Sequence, residues 1–528
     1  MSWLGEAWEL GSGAAHALLV RAGQGGRLRS ALRKSVAEVR KGGARSLLDA
    51  LRERMGTDRA YAAWIARFDR PGPREMAILG ARAASSAALP LVSVVLSGAG
   101  ESRRSHESVK SQTHARWEIC NTLASARGEI VVPLEAGDEL APLACFALAR
   151  ALARRPDADA AFADFDRLDA DGRRCEPVFK PGWDPYLTAW PDYLGRATAF
   201  PRRLAVGAAD VADLRRKVES GVPVPHVLCH VRAPAGPPRL ARDVPTPSPR
   251  VSVIVPTRDG GDLLRRCLQS LGSRTAYPDL EVIVVDNQSR APPTLELLSE
   301  LSRSGRARVI GFDRPFNYAA INNEAARDAT GEVLLLLNDD VEAISAGWLQ
   351  EMVRLALRPD VGPVGAKLLY PDGTIQHGGI VTGLFGMVGH LHRGARAECP
   401  AWMAQYPRTV SAATAAAMAI RREVWAELGG LDEHLAVAFN DVDLCLRAER
   451  AGYRTLYTPA AELLHRESQS RGRDDTAEKR ARSQREAAFL RARWGARLED
   501  DPHYSPNLSL FSERPALAWP PRAPRLWQ

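Results

Sequence analysis

One short apolar run constrains this chain more than any other feature. Five consecutive apolar residues, Val333 to Leu337, are too few for a membrane span or a typical helix, and they predict a strand buried on both faces of a parallel sheet. Asn338, Asp339 and Asp340 follow directly, where open α/β sheets collect their ligands. Adjacent carboxylates repel each other unless a cation lies between them, so a divalent metal is predicted there; a solvated turn is the alternative.

Composition narrows the class of protein. A chain of 528 residues predicts two or three domains, and 45% hydrophobic with 25% charged residues is typical of a globular protein. The net charge of +8 allows weak attraction to anionic lipid or to phosphate-bearing substrates. Because no basic stripe is interleaved with aromatic residues, we expect no nucleic-acid partner.

Cysteine usage and hydropathy indicate the compartment. The seven cysteines are scattered, odd in number and without a Cys-x-x-Cys pair, which predicts free thiols in a reducing compartment. No apolar stretch reaches the roughly 18 residues of a transmembrane helix, and the amino terminus lacks the pattern of a secretory signal. We therefore expect a cytoplasmic protein, with peripheral attachment to the inner face of the membrane as an open alternative.

Two parts of the chain resemble each other, which predicts a tandem repeat. The similar stretches are 91–96 with 251–255, and 128–134 with 331–337. From Ser to Gly the first copy spans 35 residues and the second spans 79, so the first copy is expected to lack the second strand and the helix after it. Glu135 and Gly137 replace Asn338 and Asp340 at the aligned strand end, so we expect the first copy to have lost catalysis and kept a scaffold.

These features divide the chain into five predicted parts: an N-terminal helical region at 1–88, a degenerate copy at 89–233, a Pro-rich linker at 234–249, a complete copy at 250–500 and an irregular tail at 501–528. In the complete copy, strands are predicted at 251–255, 280–285, 307–311, 333–337 and 362–369. Helices are predicted at 261–272, 293–303, 318–328, 346–356, 440–451 and 474–496. This alternation predicts a mostly parallel sheet with helices on both faces.

Polar residues also follow the first two predicted strands of the complete copy. Pro256 ends the first strand and brings Thr257 and Asp259 to its carboxyl end. The second strand ends in Asp286 and Asn287, where an acid can accept hydrogen bonds from a ribose or a base N–H; an ordinary turn is the alternative at both places. No Gly-x-Gly-x-x-Gly follows either strand, which argues against a dinucleotide-binding domain.

Eight ordered motifs lie between about residue 250 and residue 475. They are Pro256-Thr-Arg-Asp, Val285-Asp-Asn-Gln-Ser289, Phe316-Asn-Tyr-Ala-Ala-Ile-Asn-Asn323, Leu337-Asn-Asp-Asp340, Asp372-Gly-Thr-Ile-Gln-His377-Gly-Gly, Gly429-Gly-Leu-Asp-Glu433, Phe439-Asn-Asp-Val-Asp443-Leu-Cys-Leu-Arg447 and His465-Arg-Glu-Ser-Gln-Ser-Arg-Gly472. Together they resemble glycosyltransferase family 2, in its rhamnosyltransferase-like, O-antigen and exopolysaccharide branch. The first copy matches weakly, through Asp169-Ala-Asp-Gly172 and Phe179-Lys-Pro-Gly-Trp-Asp184.

The resemblance implies an α/β GT-A fold, preceded by a truncated copy of the same domain. It implies an inverting transfer of a hexosyl or deoxyhexosyl group from a dTDP-, UDP- or GDP-linked donor to a glycan or lipid-linked acceptor, in surface polysaccharide synthesis. Mg²⁺ or Mn²⁺ is the implied cofactor, and its implied ligands are Asp340, Asn338 and His465. The residues implied for the donor nucleotide are Pro256, Thr257, Asp259, Asp286, Asn287, Asn323, Asp339 and Arg471. Because Asn338 stands where the family often has Asp, a weaker or more water-mediated metal site is expected.

The run Asn440-Asp-Val-Asp443 resembles the family's Glu-Asp motif at the start of a helix. Asp441 falls on the position of the general base, which takes the proton of the acceptor hydroxyl as that hydroxyl attacks the anomeric carbon. Because Asn440 replaces the family's Glu, Asp443 remains an alternative base, although Asp441 is favoured. An Asp near a helix start can also serve only as a cap.

Two other functions remain open from the residues. Asn338 and Asn440 both replace acids, which favours a non-catalytic glycan- or nucleotide-binding protein built from decayed copies. Asp340, Asp441 and His465 argue against it, because drift would not be expected to spare all three. A nucleotidyltransferase is expected to carry a Gly-rich, basic loop after the first strand, and residues 256–261 match that poorly.

Overall fold

The computed structural model describes residues 57–85, 90–98, 102–232, 248–398, 401–466 and 476–526. The chain divides into two compact units, Met1–Ala60 and Tyr61–Gln528. The described part of the first unit is residues 57–60, which begin a helix. Arg471 and most of the predicted N-terminal region and linker lie outside the described residues, and no described helix is long and apolar enough to cross a membrane.

Eight strands form the first sheet: β1 Val92–Ser97, β2 Trp117–Cys120, β3 Ile130–Glu135, β4 Glu139–Leu140, β5 Ala160–Leu168, β6 Arg174–Val178, β7 Thr198–Pro201 and β8 Gly221–Val231. Their order is β2-β1-β3-β7-β5-β8-β4, with β6 beside β5. The helices before and within this part are α1 Thr57–Trp64, α2 Pro73–Ser85, α3 Arg103–Lys110, α4 Ala144–Arg154, α5 Arg202–Ala205 and α6 Val211–Arg216.

Ten strands form the second sheet: β9 Val251–Thr257, β10 Leu280–Asp286, β11 Arg308–Gly311, β12 Val333–Leu337, β13 Val341–Ala343, β14 Val361–Leu369, β15 Ile375–His377, β18 Arg408–Val410, β19 Ala417–Arg421 and β20 Arg454–His465. Strands β16 Ile380–Thr382 and β17 Val388–His390 pair separately. The order is β11-β10-β9-β12-β19-β14-β20-β13, with β15 beside β14 and β18 beside β20. The helices are α7 Gly261–Arg274, α8 Pro292–Ser304, α9 Tyr318–Asp328, α10 Trp348–Ala356, α11 Trp402–Gln405, α12 Arg422–Leu428, α13 Asn440–Arg450 and α14 Ala477–Trp494.

The second sheet is buried on both faces because its central strands are apolar at successive positions. Val253 and Leu335 pack into the core on one face, while Ile254, Leu334 and Leu336 pack into the core on the other. Strands β9 to β12 run parallel, and β19 pairs with β12 in the antiparallel direction. The predicted strands and helices of the complete copy are confirmed, and β12 begins and ends at the predicted residues.

The two sheets share one strand order, apart from one edge strand. β2 pairs with β1 in parallel as β10 pairs with β9, so β2 is the counterpart of the second strand. The prediction that the first copy lacks its second strand is therefore wrong. Residues 121–129, which include one 3-10 helix at Leu123–Ser125, join β2 to β3 in place of α8, β11 and α9. The sequence hid β2 because it is four residues long and none of its side chains is fully buried.

A buried glycine at the start of β12 is repeated in both copies. The Gly331 N–H donates to Ser252 Oγ at 2.8 Å, and that hydroxyl donates to Glu281 on the neighbouring strand. A Cβ on Gly331 would lie 2.5 Å from the Ser252 nitrogen. The first copy repeats these contacts with Gly128, Ser93 and Glu118. The similar sequences that begin at Gly128 and Gly331 thus form the same structural element in both copies.

We predict that Gly331→Ala lowers the free energy of unfolding by about 1–3 kcal/mol, because the added methyl group meets backbone that cannot move freely. Gly272→Ala is the matched control, since a Cβ there meets nothing within 4 Å on the exposed side of α7. That control should raise the stability by about 0.5–1 kcal/mol. Denaturant unfolding of both variants measures the difference, and equal stabilities would contradict the close contact.

Candidate active site

A pocket of about 540 Å³ lies at the carboxyl ends of β9 and β12. Most of the predicted site residues line it: Pro256, Thr257, Asn287, Asn338, Asp339, Asp340, Asp441 and His465. They come from the ends of three parallel strands, the end of β20 and the start of α13. The pocket therefore brings together groups that lie as far apart in the sequence as Pro256 and His465.

Asp339 is fixed inside the sheet edge. Thr257 Oγ1 donates to Asp339 Oδ2 at 2.7 Å, and the side chain is 5% exposed. Burial raises the pKa of Asp339 to about 7. The negative charge of Asp340 adds to this rise, and the hydrogen bond from Thr257 opposes it. A Cβ on Gly260 would lie 2.5 Å from the same oxygen, so the turn after β9 needs glycine there. Asp339 is thus a held side chain and not a solvated turn residue.

Asp340 faces His465 across the pocket. Asp340 Oδ1 is buried and has no hydrogen-bond partner, although His465 Nε2 lies 3.1 Å away. His465 Nδ1 donates to Gln376 Oε1 at 2.6 Å, so in the neutral ring Nε2 carries the lone pair. A carboxylate oxygen and an imidazole nitrogen, with the imidazole oriented from behind, are ligands that a divalent cation accepts.

These residues fit a metal that takes part of its coordination from a ligand. Among the described residues, no group of three or more His, Cys, Asp or Glu side chains is arranged to hold a metal by itself. Mg²⁺ and similar cations are commonly held by one or two carboxylates together with substrate phosphates and water. Asp340 and His465, with Asn338 beside them, match such an open site.

Asp441 lies in the first turn of α13 and is directed at the pocket. Its Oδ2 accepts from the Ala415 N–H at 3.2 Å, and its Oδ1 accepts from the Val442 N–H at 2.8 Å. Burial raises the pKa of Asp441, although these backbone bonds and a bond with Thr414 oppose the rise. A carboxylate with a raised pKa is better suited to accept a proton than an ordinary surface aspartate.

A short backbone stretch, residues 414–416, connects the strand end to Asp441. Tyr318 Oη donates to the Ala415 carbonyl at 2.9 Å, and the Asn338 N–H donates to the Ala416 carbonyl at 3.0 Å. The Ala415 N–H is the donor to Asp441. The sequence did not single out this stretch, because apart from the Thr414 side chain it acts through backbone atoms in an alanine-rich run.

Asp443 is directed away from the pocket. It is fully buried, and its Oδ2 accepts from Arg447 Nε at 2.7 Å. Its Oδ1 accepts from Trp494 Nε1 at 2.9 Å and from Arg493 at 3.1 Å. Asp443 therefore joins α13 to α14, and it does not line the pocket with Asp441.

Two other residues that were predicted to bind the donor nucleotide instead stabilise the turns that follow their strands. Asp259 is exposed, and its Oδ1 accepts from the backbone N–H groups of Arg290 and Ala291 at 2.6 and 2.7 Å, which lower its pKa. Asp286 Oδ1 accepts from the Ser289 N–H at 3.1 Å. Neither side chain lines the pocket.

Asn323 lies in a different cleft, of about 710 Å³. Its Oδ1 accepts from the Leu431 N–H at 2.9 Å, and its Nδ2 donates to the Leu431 carbonyl at 2.8 Å. Arg471 lies outside the described residues. Phe316, Tyr318 and Thr414 are among the lining residues of the pocket that were not predicted from the sequence. Phe316 and Tyr318 both belong to the motif at residues 316–323.

Comparison with known proteins identifies the domain around this pocket. Residues 249–496 match the model of a family described as glycosyltransferase like family 2. Through these residues, the chain is similar to glycosyltransferase family 2. The predicted family and its GT-A fold are confirmed. We call residues 249–496 the glycosyltransferase domain and residues 92–231 the N-terminal domain.

Three relatives illustrate the similarity. The chain is 36% identical over 504 residues to uncharacterized protein y4gI of Sinorhizobium fredii, covering 76% of this chain and 55% of that protein. It is 36% identical over 442 residues to the O-antigen biosynthesis protein RfbC of Myxococcus xanthus, covering 73% of this chain and 34% of that protein. It is 27% identical over 263 residues to the N-acetylglucosaminyl-diphospho-decaprenol L-rhamnosyltransferase of Mycobacterium tuberculosis, covering 45% and 83%. The chain thus spans about half or less of the first two relatives.

The N-terminal domain lacks the counterparts of the pocket residues. Strand β7 pairs with β3 in the N-terminal domain as β19 pairs with β12 in the glycosyltransferase domain. When these two pairs are matched, Arg196 aligns with Ala416. The pairing of β8 with β4 and of β20 with β13 aligns Val231 with His465. In the N-terminal domain, the apolar Val231 therefore stands in place of His465. The side chain of Arg196 enters the space that corresponds to the pocket.

Arg196 supplies a permanent positive charge at that sheet edge. Its guanidinium lies 2.8 Å from Glu135 and also pairs with Asp138 and, at 3.6 Å, with Asp192. Burial raises the pKa of Asp138 to about 6, against the opposing charge of Arg196. An acidic strand end that already holds a guanidinium has no need of a metal ion.

We predict that Asp443→Asn and Asp441→Asn differ sharply in stability. Asp443→Asn leaves Arg447 buried without its ion pair and should cost about 3–5 kcal/mol of unfolding free energy. Asp441→Asn removes a carboxylate whose charged form burial disfavours, so the stability should stay within about 1 kcal/mol or rise. Denaturant unfolding of the two variants checks this, and equal losses would contradict the assignment of Asp443 to the fold.

Proposed function

We propose that the glycosyltransferase domain is a metal-dependent, inverting enzyme. It moves one sugar from a nucleoside-diphosphate donor to a glycan or lipid-linked acceptor, in surface polysaccharide synthesis. One observation carries the proposal: the unpaired Asp340 Oδ1, its neighbour His465 and the proton-accepting Asp441 all line a single pocket. Metal-assisted group transfer needs this combination of an open cation site and a base.

The donor nucleotide is assigned to the side of the pocket formed by Pro256, Thr257 and Asn287. Asn287 Nδ2 donates to two backbone carbonyls, at 3.0 and 2.8 Å, which orients its amide. Its Oδ1 is buried without a hydrogen-bond partner. That oxygen is therefore available to accept from an N–H group of a nucleobase, and a buried unpaired acceptor strongly favours such a ligand.

The diphosphate of the donor is assigned to the strand end. Asp340, His465 and Asn338 would hold Mg²⁺ or Mn²⁺ there, and the cation when bound would offset the negative charge that builds on the leaving diphosphate. Asp339 is held by Thr257, and we assign it to the ribose or the donor sugar.

Asp441 is assigned the role of general base. It takes the proton from the acceptor hydroxyl while the hydroxyl oxygen attacks the anomeric carbon and the diphosphate leaves from the opposite face. Asn440 does not compete for this role, because its Nδ2 donates to the carbonyls of Leu435 and Val437 and holds the preceding loop. An ionised carboxylate at position 440 could not donate these two bonds.

The names of the relatives favour particular substrates. The relatives named for O-antigen biosynthesis and for L-rhamnosyl transfer to a decaprenol-linked sugar support a deoxyhexosyl donor and a lipid-linked or growing polysaccharide acceptor. A cytoplasmic protein attached to the inner face of the membrane would meet such an acceptor.

We predict that UDP, dTDP or GDP binds the wild type tightly in the presence of Mn²⁺ and weakly without it. Asp340→Ala should weaken the Mn²⁺-supported binding at least about tenfold, because the metal loses a carboxylate ligand. Isothermal titration calorimetry with each nucleotide measures this. Asp328→Ala is the control, since this acid is exposed at the end of α9, outside the pocket. Absence of nucleotide binding in the wild type would favour a non-catalytic protein instead.

The raised pKa of Asp441 predicts the acid side of the pH profile. A base acts only when deprotonated, so kcat/KM should fall with decreasing pH at a higher pH than an ordinary aspartate, whose pKa is about 3.9, would give. Nucleotide binding at the same pH values separates this loss from loss of the donor site. A rate that stays constant down to the pH of unfolding would contradict Asp441 as the base.

A further inference from the structure

We propose that the N-terminal domain braces the wall of the active site and so positions the catalytic base. Its segment 182–193, the brace segment, holds residues 402–416 of the glycosyltransferase domain, the wall loop. Asp184 and Thr409 are the positioning residues that join the two. This inference rests on the proposed glycosyl transfer, and it gives a role to the weak motif that ends at Asp184.

Both carboxylate oxygens of Asp184 accept a hydrogen bond from one residue of the wall loop. Its Oδ2 accepts from the Thr409 N–H at 2.7 Å, and its Oδ1 accepts from Thr409 Oγ1 at 2.9 Å. Both residues are buried, with Asp184 1% exposed. Hydrogen bonds to an ionised acceptor are shorter and stronger than neutral ones, and two of them fix direction as well as distance.

Aromatic packing fixes the start of the wall loop. The rings of Trp190 and Trp402 stack with their centroids 4.7 Å apart and their planes at 10°. Tyr406 is 3% exposed and packs into the core of the N-terminal domain, with its ring 5.9 Å from that of Trp190. This part of the glycosyltransferase domain therefore has its core in the other domain.

The path from Thr409 to the base is short and stiff. Strand β18, which contains Thr409, pairs with β20, and the Ile380 N–H donates to the Ala412 carbonyl at 2.8 Å. The next residues are the 414–416 stretch, whose Ala415 N–H donates to Asp441. Displacement at Thr409 is thus transmitted through paired backbone to the group that contacts Asp441.

Small displacements of a base matter because proton transfer and attack need near-contact geometry. A misplacement of about 1 Å can reduce a rate about 100-fold even when it arises far from the reacting atoms. The donor nucleotide is assigned to the other side of the pocket, at β9 and β10. Loosening the wall loop should therefore lower kcat much more than it changes nucleotide affinity.

The test uses the full chain with Thr409→Val and Thr409→Ser. The valine variant keeps the shape and removes the hydroxyl, whereas the serine variant restores the hydroxyl bond to Asp184. Tyr186→Phe is the matched control: Tyr186 lies in the brace segment, but the hydroxyl that this change removes donates to Asp360 at 3.0 Å, across the same two domains and away from the wall loop. Three quantities are measured: amide hydrogen exchange of residues 411–416, Mn²⁺-dependent binding of UDP, dTDP and GDP, and nucleotide release from dTDP-rhamnose, UDP-N-acetylglucosamine and GDP-mannose with a lipid-linked acceptor.

We expect Thr409→Val to speed exchange at residues 411–416 and to lower kcat by about tenfold or more, with nucleotide affinity changed less than about threefold. Thr409→Ser and Tyr186→Phe should behave as the wild type. Unchanged exchange and kcat in Thr409→Val would overturn the brace, as would a loss of nucleotide affinity equal to the loss of kcat. A wild type that releases no nucleotide from any of the three donors would instead contradict the proposed function, and the exchange result would still decide whether Thr409 holds the wall loop.

Discussion

Negative charge buried at the end of β12 is the constraint on which the rest of the site depends. Asp339 and Asp340 are 5% and 4% exposed, and Asp441 lines the same pocket. Burying unpaired carboxylates is costly, so each needs a compensating group. Asp339 has a threonine hydroxyl and Asp441 has backbone N–H groups, whereas Asp340 Oδ1 has no hydrogen-bond donor. This oxygen, with His465 Nε2 at 3.1 Å, is the observation on which the proposed metal site rests.

The N-terminal domain also has acidic residues at the end of the corresponding strand, but an arginine compensates their charge. Its strand end carries Glu135 and Asp138, and Arg196 lies between them as a built-in cation. A guanidinium cannot leave and cannot share its coordination with a diphosphate in the manner of a metal ion. The two domains thus have sheets of similar strand order, and the proposed metal ion of the glycosyltransferase domain corresponds to a fixed guanidinium in the N-terminal domain. That the first copy has lost catalysis stays a prediction, and the guanidinium at its strand end is consistent with it.

The sequence predicted the glycosyltransferase domain well because its signals are local. The apolar run of β12, the turn after β9 and the helix at Asn440 each have a pattern that short-range physics dictates. The shortened copy was harder, since β2 has four half-buried residues and no periodicity. The direction of a side chain was harder still to predict. Asp441 and Asp443 lie two residues apart on one helix, and only the packing of Trp494 and Arg447 around Asp443 shows which of the two faces the pocket. The contact between Asp184 and Thr409 spans 225 residues and has no sequence signal.

The most direct test of this account is a crystal structure of the chain with Mn²⁺ and the nucleoside diphosphate that binds it, with data collected at the manganese absorption edge. If a metal completes the site, an anomalous peak is expected at Asp340 and His465, beside the diphosphate of the nucleotide. A nucleotide bound with no manganese at that place, or manganese held by other residues, would contradict the claim that the buried charge of the β12 end is completed by an exchangeable metal.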